Sequence, residues 1–189
     1  SIAAVSQLNI QTKSNKSEDA WALDVVAGKF DDIYPSSRQL GTIISVKNLF
    51  FATPARLKFL KSSNLERSYC QQIVLKQALV NPKIGFRLQA DGKELLNIKP
   101  ESVINSDEYV LNRIRNILGK SFADEAIKIN NSKTFKNQNF LKINGFIGLP
   151  TLNKSNYSQQ YLFINGRSIQ DRNLSGAIRA AYRDTLPKG

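Results

Sequence analysis

Alternating apolar and polar residues predict strands in the first part of the chain. Residues 7–12, 21–26 and 41–50 are rich in β-branched and aromatic side chains and are joined by short polar links. Together they predict a sheet. Residues 1–5 have the pattern of a helix tail, so we expect the chain to begin within a domain.

Helical spacing follows the third strand. Pro54 opens a helical turn over residues 54–60, since the first helical position tolerates its missing N–H. A longer helix is predicted between Ser63 and Asn81, because apolar residues recur three or four positions apart. Cys70 lies within this apolar pattern and lacks cationic neighbours, so we expect a buried, structural thiol.

The pattern restarts after Pro82. Residues 84–90 and 93–99 flank Asp91-Gly92, a pair suited to a tight hairpin turn. An amphipathic helix is predicted over residues 106–119, followed by strands over 140–149 and 161–164, the second of which ends at a turn on Asn165-Gly166. The final helix starts near Arg172. The order predicts an α+β fold in two units, with residues 1–81 forming the first and residues 82–189 the second.

Composition narrows the classes of function. A chain of 189 residues with 41% hydrophobic content can fill a core, and no apolar run approaches the roughly 20 residues of a membrane span. No secretory signal is visible, so we expect a cytosolic protein without a membrane partner. One cysteine and no histidine exclude disulfides, Cys/His zinc sites and Ser-His-Asp catalysis. Any chemistry must therefore rest on carboxylates, amines, hydroxyls or a bound nucleotide.

The net charge of +12 is concentrated near the end of the chain. Residues 128–189 hold ten basic and two acidic side chains, a net charge of +8. A field of this sign attracts polyanions such as nucleic acid. The alternative is a lysine-rich surface that only keeps the protein in solution.

Residues 41–61, GTIISVKNLFFATPARLKFLK, form the first informative stretch. It reads as a glycine-initiated strand that turns through Thr-Pro into a basic helix, where backbone N–H groups and Arg56 could hold an anion. The alternative is a plain strand-turn-helix in which Phe50 and Phe51 belong to the core.

The second stretch contains a predicted arginine stripe. Arg172, Arg179 and Arg183 fall on the side of the final helix opposite its apolar residues, and Arg167 precedes them in a turn. Arginines in line suit bidentate phosphate contacts. The alternative is that these arginines are the ordinary solvated side of an amphipathic helix. In the sequence, only Asp171 and Asp184 are near enough to neutralise their charge.

The two stretches resemble a known family. Residues 41–60 resemble the GTxVxVxxLFxNTPARxKFL signature of the MutL DNA mismatch-repair family, and residues 164–187 resemble its VNGRxxxDxxLxxAIRxAYxDxLP segment. Residues 1–13 also resemble the stretch that follows the family's GFRGEAL motif. One departure is Ala52, where the family commonly has an asparagine that could brace the turn.

The resemblance implies the end of a GHKL-type ATPase α/β sandwich followed by a ribosomal-S5-like transducer domain. In the complete protein it implies ATP and Mg²⁺ as cofactors, with Gly41 and Thr42 beside the nucleotide and Arg172 at a basic DNA groove. The family's metal-binding, general-base and lid motifs are expected before Ser1, and its phosphate-binding lysine after Gly189. The resemblance therefore implies no catalytic residue and no metal ligand within this chain, and we expect the chain alone to bind no cofactor tightly and to hydrolyse no ATP.

The resemblance also implies partners. These are DNA contacted through its backbone, a second copy of the protein through the ATPase region, and other mismatch-repair proteins. Two other classes remain open: a free-standing basic RNA- or DNA-binding module without nucleotide dependence, and a protein-interaction scaffold.

Overall fold

The computed structural model describes residues 1–102, 106–135, 140–152, 159–183 and 185, and Asp184 lies outside this set. The chain divides into two compact units, Ser1–Glu66 and Arg67–Gly189. The division falls within the long helix Ser63–Val80, and the predicted boundary between residues 81 and 82 follows the end of that helix. Helices and strands mix in both units, which confirms the α+β prediction.

An antiparallel sheet forms the first unit. Its strands are β1 (Gln7–Lys13), β2 (Ala20–Val26), β3 (Lys29–Phe30), β4 (Tyr34–Ser36) and β5 (Gly41–Lys47). Their order is β3-β2-β1-β5, with β4 also paired to β2. The three predicted strands are confirmed. The helix tail expected at the start is a single 3-10 turn, Ala3–Val5.

The third predicted strand is shorter than expected. It ends at Lys47 because Asn48 and Phe50 have positive φ angles of 51° and 67°, which no strand accommodates. Phe50 N–H then donates to the carbonyl of Val5 at 2.7 Å. Phe50 is half-buried, whereas Phe51 is 41% exposed within the described structure.

Register separates an apolar from a polar side of this sheet. Leu8 pairs with Val25 and Val46, and Ile10 pairs with Leu23 and Ile44, so these residues share one side. The opposite side presents polar and charged side chains, which are Gln7, Asn9, Gln11, Asp24, Ser45 and Lys47. Alternation of period two therefore sets both sides, as the sequence pattern indicates.

Two helices follow, α1 (Pro54–Leu57) and α2 (Ser63–Val80). The turn from Pro54 is confirmed, although its helical part ends at Leu57. The expected burial of Cys70 is wrong, since its side chain is exposed. Tyr69 and Ile73 on the same helix are also more than half exposed, and Ala78 is fully buried.

Three hairpins supply the strands of the second unit. They pair β6 (Phe86–Ala90) with β7 (Lys93–Ile98), β8 (Ile127–Thr134) with β9 (Phe140–Ile147), and β10 (Leu162–Ile164) with β11 (Arg167–Ile169). The hairpin predicted around Asp91-Gly92 is confirmed. Each hairpin is a two-stranded sheet within the described residues.

The remaining helices are α3 (Ser106–Leu118), α4 (Lys120–Asp124) and α5 (Arg172–Tyr182), with a 3-10 turn at Pro150–Leu152. The predicted positions of α3 and α5 are confirmed, including the end of α3 before Gly119, whose φ is 94°, whereas α4 and the 3-10 turn were not predicted. Besides Ala78, the described part of the second unit buries the apolar residues Ile98, Ile114 and Ala123. No helix in the described part of the chain is long and apolar enough to cross a membrane.

An arginine lies in the core of the second unit. Arg113 on α3 is fully buried, and its Nη2 donates to the carbonyls of Pro82 and, at 2.9 Å, Ile84. Its Nε lies 3.8 Å from Glu101 Oε1. Burial lowers the pKa of Arg113, and the charge of Glu101 opposes that change. The side chain thus joins α3 to the segment that precedes β6.

Candidate nucleic-acid interface and nucleotide-side strand

Helix α5 begins at a well-formed cap. Asp171 precedes it in extended conformation, and its Oδ1 accepts a hydrogen bond from Leu174 N at 2.8 Å. Such a cap satisfies one of the free N–H groups at a helix start and fixes where the helix begins. The cap therefore makes Arg172 the first helical residue of α5.

The arginines of α5 form a single exposed stripe. Seven and eleven residues separate Arg172 from Arg179 and Arg183, close to whole numbers of turns, so the three lie within about 40° around the helix axis. Along the axis the stripe is roughly 16 Å long, at about 1.5 Å per residue. All three arginines are exposed. The structure thus brings these three predicted residues together.

The buried side of α5 differs from the predicted one. Leu174, Ala177 and Ala181 are exposed, and the half-buried residues are Ile178 and its neighbours Ser175 and Tyr182. The predicted buried side is therefore wrong in part. The side of the helix that is partly buried includes Tyr182, whereas the spacing of the aliphatic residues predicted Leu174, Ala177 and Ala181. The arginine stripe stays exposed under either arrangement.

Tyr182 anchors the end of α5. Its hydroxyl donates to the carbonyl of Gly148 at 2.7 Å, just after β9 ends. Burial raises the pKa of this hydroxyl. The hydrogen bond holds the last helical turn, which precedes Arg183, against the β8–β9 hairpin.

Arg167 belongs to the hairpin before the helix. It is the first residue of β11, pairs with Ile164 and is exposed. The turn between them has φ angles of 49° at Asn165 and 78° at Gly166, the left-handed conformations that a tight hairpin requires. The predicted turn is confirmed, and Arg167 lies at its exit.

Gly41 and Thr42 start β5 in the first unit. Gly41 has φ of 115°, a conformation that other residues rarely adopt, and among the described residues a Cβ there would meet only Arg38 Nη2, at 3.8 Å. Thr42 is exposed, and its Oγ1 lies 2.8 Å from Thr12 Oγ1. Register places Thr42 on the apolar side of the sheet. A strand end without a side chain, followed by a hydroxyl, leaves room for a polar ligand.

The β8–β9 hairpin has a polar side that was not among the predicted binding residues. Phe140, Lys142 and Asn144 alternate along β9, and register pairs them with Thr134, Ser132 and Asn130 on β8. These six side chains share one side and are exposed. The period-two pattern in FLKINGF carries the signal that could have revealed this side.

Comparison with known proteins bears on these features. A family model described as DNA mismatch repair protein, C-terminal domain, matches residues 114–189. The DNA mismatch repair protein MutL of Sinorhizobium fredii is 38% identical over 189 residues, which are 100% of this chain and 30% of the relative. The protein of the same name from Agrobacterium fabrum is 39% identical with the same coverage.

Solved structures agree. The Aquifex aeolicus MutL ATPase domain complexed with ADP is similar with a TM-score of 0.72 and 25% identity, covering 95% of this chain and 65% of that chain. The N-terminal domain of a DNA repair protein matches with a TM-score of 0.75 at 17% identity, covering 97% of this chain and 57% of that one, a likeness of fold alone.

The matches place the chain in the class of DNA mismatch repair proteins. Within that class, the chain belongs to the MutL family. It spans about 30% of the length of the curated relatives. The family match favours a mismatch-repair protein over a free-standing nucleic-acid module.

Proposed function

We propose that this chain is the part of an ATP-gated DNA clamp that carries the DNA contact. The observation behind the proposal is the exposed stripe of Arg172, Arg179 and Arg183 on α5. Guanidinium groups match phosphate geometry bidentately. In the complete protein, the clamp would couple mismatch recognition to later repair steps, with a second copy and other repair proteins as partners.

Under this proposal, residues 1–81 belong to the ATPase domain and residues 82–189 to the transducer domain. Charge supports the assignment of the DNA contact to the second part, because residues 128–189 carry +8. Contacts from arginine to phosphate fix position and carry no sequence information. Binding should therefore depend on salt and be indifferent to base sequence.

The start of β5 fits a nucleotide. Gly41 leaves the strand end open, and Thr42 places a hydroxyl on the apolar side of the sheet. We propose that both lie beside ATP in the complete protein, where Gly41 permits close approach and Thr42 offers a hydrogen bond. The resemblance assigns the remaining ATP contacts and the Mg²⁺ ligands to residues outside this chain.

A salt series with duplex DNA tests the DNA contact. The affinity of the chain and of Arg172→Glu is measured by fluorescence anisotropy at several salt concentrations. Each lost phosphate contact lowers the slope of log affinity against log salt by about 0.9, so the variant should show lower affinity and a smaller slope. Lys29→Glu, an equal charge change at an exposed residue of β3, serves as the control.

Two results would count against the proposal. If Arg172→Glu and Lys29→Glu weaken binding equally, the contact is a diffuse basic surface and the α5 stripe is not the site. If Arg172→Glu leaves affinity and slope unchanged, the stripe does not contact DNA.

ATP hydrolysis provides a separate test of the nucleotide side. Hydrolysis needs a bound metal and a positioned base. The purified chain with Mg²⁺ and ATP should therefore release phosphate at the background rate. Release above background that Thr42→Ala abolishes would show that a complete active site lies within these residues.

A further inference from the structure

The β8–β9 hairpin has one side with an unusual set of groups. Register places Phe140, Lys142 and Asn144 along β9 on that side, opposite Thr134, Ser132 and Asn130 of β8. Same-side neighbours on a strand lie about 6.8 Å apart, and directly opposed residues have Cβ atoms about 5 Å apart. The result is a ladder of an aromatic ring, a cation, two amides and two hydroxyls.

The other side of the hairpin is different in kind. There Ile127 pairs with Ile147, and Ile143 and Leu141 lie opposite Asn131 and Lys133. The Nζ of Lys133 lies 5.7 Å from the centre of the Phe135 ring. Aliphatic residues dominate this second side, so the polar side with Lys142 is the one suited to a solvated ligand.

Phe140 is the most informative member of the ladder. Its side chain is 73% exposed, although it begins a strand whose partner residue is Thr134. Exposure of an apolar ring to water is unfavourable, and a flat aromatic ring can stack on a nucleic-acid base. A base inside a duplex is covered on both faces by its neighbours, so a ring of this kind selects unpaired bases.

Charge and hydrogen-bonding groups around Phe140 match the same ligand. The strands β8 and β9 together include three lysines and no acidic residue, which suits a phosphate backbone. Lys142 lies two positions from Phe140 on the same side, followed by Asn144 with Asn130 opposite. Amides and hydroxyls of this kind bond to phosphate, sugar or base edges.

We propose that this side of the β8–β9 hairpin binds single-stranded nucleic acid. In this arrangement the Phe140 ring stacks on a base, and the ammonium group of Lys142 contacts an adjacent phosphate. The proposal extends the proposed function, since it takes nucleic acid as the partner and adds a second contact surface to the α5 stripe. The two surfaces bind different forms of nucleic acid: the stripe contacts the backbone of a duplex, and the hairpin contacts an unpaired strand.

Binding of the chain to a labelled oligothymidine, followed by fluorescence anisotropy, tests the proposal. Phe140→Ala should weaken this binding at least about fivefold, the lower bound for loss of one stacked base, and leave duplex binding within about twofold. Phe140→Trp keeps a stacking ring and should retain affinity. Phe30→Ala is the matched control, because Phe30 is a strand phenylalanine with 72% exposure in the first unit.

A lysine pair tests the side of the hairpin. Lys142→Glu should reduce oligothymidine affinity and lower the salt slope by about 0.7, the value for one phosphate of a single strand. Lys133→Glu makes the same charge change on the opposite side and should do less. Thermal unfolding of each variant verifies that the hairpin still folds.

Some outcomes would overturn the proposal. Unchanged oligothymidine affinity in Phe140→Ala excludes stacking at this site, and equal losses for Lys142→Glu and Lys133→Glu exclude the assigned side. An equal loss for duplex in Phe140→Ala removes the preference for unpaired bases. Arg172→Glu measured on duplex reports on the α5 stripe independently, so failure of one surface is distinguishable from failure of the other.

Discussion

The hydroxyl of Tyr182 donates to the carbonyl of Gly148 at 2.7 Å, and this bond joins the last turn of α5 to the end of β9. Gly148 is itself closely packed, since a Cβ there would lie 3.1 Å from Phe122 Cε2. The two elements proposed to contact nucleic acid, the α5 stripe and the β8–β9 hairpin, are thus joined by the side chain of Tyr182.

Tyr182→Phe isolates that hydrogen bond, because it keeps the ring and removes the hydroxyl. The half-buried Gly148 carbonyl loses its partner, so the variant should be less stable by about 1 kcal/mol. Urea unfolding measures the loss. Amide hydrogen exchange should rise in the last turn of α5 and at the end of β9. Unchanged exchange at both places would show that the bond does not couple them.

Of these substitutions, Arg113→Leu should lower the free energy of unfolding the most. It removes the donors to the Pro82 and Ile84 carbonyls and leaves Glu101, whose side chain is 11% exposed, without its cation. Loss of partners for buried groups predicts a cost of about 3 kcal/mol. Urea or thermal unfolding provides the measurement.

Arg115→Leu supplies the comparison for Arg113. Arg115 Nη2 pairs with Asp124 Oδ1 at 3.1 Å, and both side chains are substantially exposed. A surface pair of this kind contributes at most about 1 kcal/mol. If the two variants lose similar stability, the buried position of Arg113 contributes nothing beyond a surface ion pair.

Strands and turns were predictable from the sequence because they depend on neighbours along the chain. Alternation of period two defines β1, β2 and β5, and the Asp91-Gly92 and Asn165-Gly166 pairs mark two hairpins. The arginine stripe was predictable for the same reason, since helix geometry alone aligns residues seven and eleven positions apart.

Burial was less predictable, because it depends on what lies opposite in space. Cys70 sits in an apolar helical pattern and is exposed, whereas Arg113 sits beside Ile114 and is fully buried. Helical spacing gives a direction but not the neighbour in that direction. On α5, the hydrogen bond of Tyr182 decides which side packs, and a polar contact of this kind has no period in the sequence.

Exposure of Cys70 predicts rapid reaction with a thiol reagent in the native protein. A disulfide-forming reagent such as dithionitrobenzoate should label the native chain nearly as fast as the urea-unfolded chain, because reaction needs access to the sulfur. Cys70→Ser should give no signal, since it removes the sole cysteine. Labelling that waits for unfolding would contradict the exposed position of the thiol.

The polar side of the first sheet predicts a pH dependence of stability. Tyr34 Oη donates to Asp24 Oδ2 at 2.7 Å, and Asn9 Nδ2 donates to Asp24 Oδ1 at 2.9 Å. The hydrogen bond from Tyr34, and then that from Asn9, lowers the pKa of Asp24 below its ordinary 3.8. The same bond from Tyr34 to Asp24 raises the pKa of Tyr34 above its ordinary 10.0.

The two shifts act at opposite ends of the pH range. A lowered carboxyl pKa in the folded state stabilises the fold above pH 3.8, and this contribution is lost as pH falls through the folded value. A raised phenol pKa stabilises the fold below pH 10.0, and this contribution is lost as pH rises through the folded value. Between these limits the pair contributes fully.

Tyr34→Phe should therefore lower the urea midpoint at neutral pH and make it less sensitive to acid. Without the phenol hydroxyl, Asp24 loses the larger cause of its lowered pKa, so less stability is lost as pH falls below 3.8 and through the folded pKa of Asp24. Tyr69→Phe, which removes a hydroxyl from a 51% exposed tyrosine on α2, should leave the midpoint and its acid sensitivity unchanged. If Tyr34→Phe and the unchanged chain lose stability in parallel on acidification, the Asp24–Tyr34 bond does not form in solution.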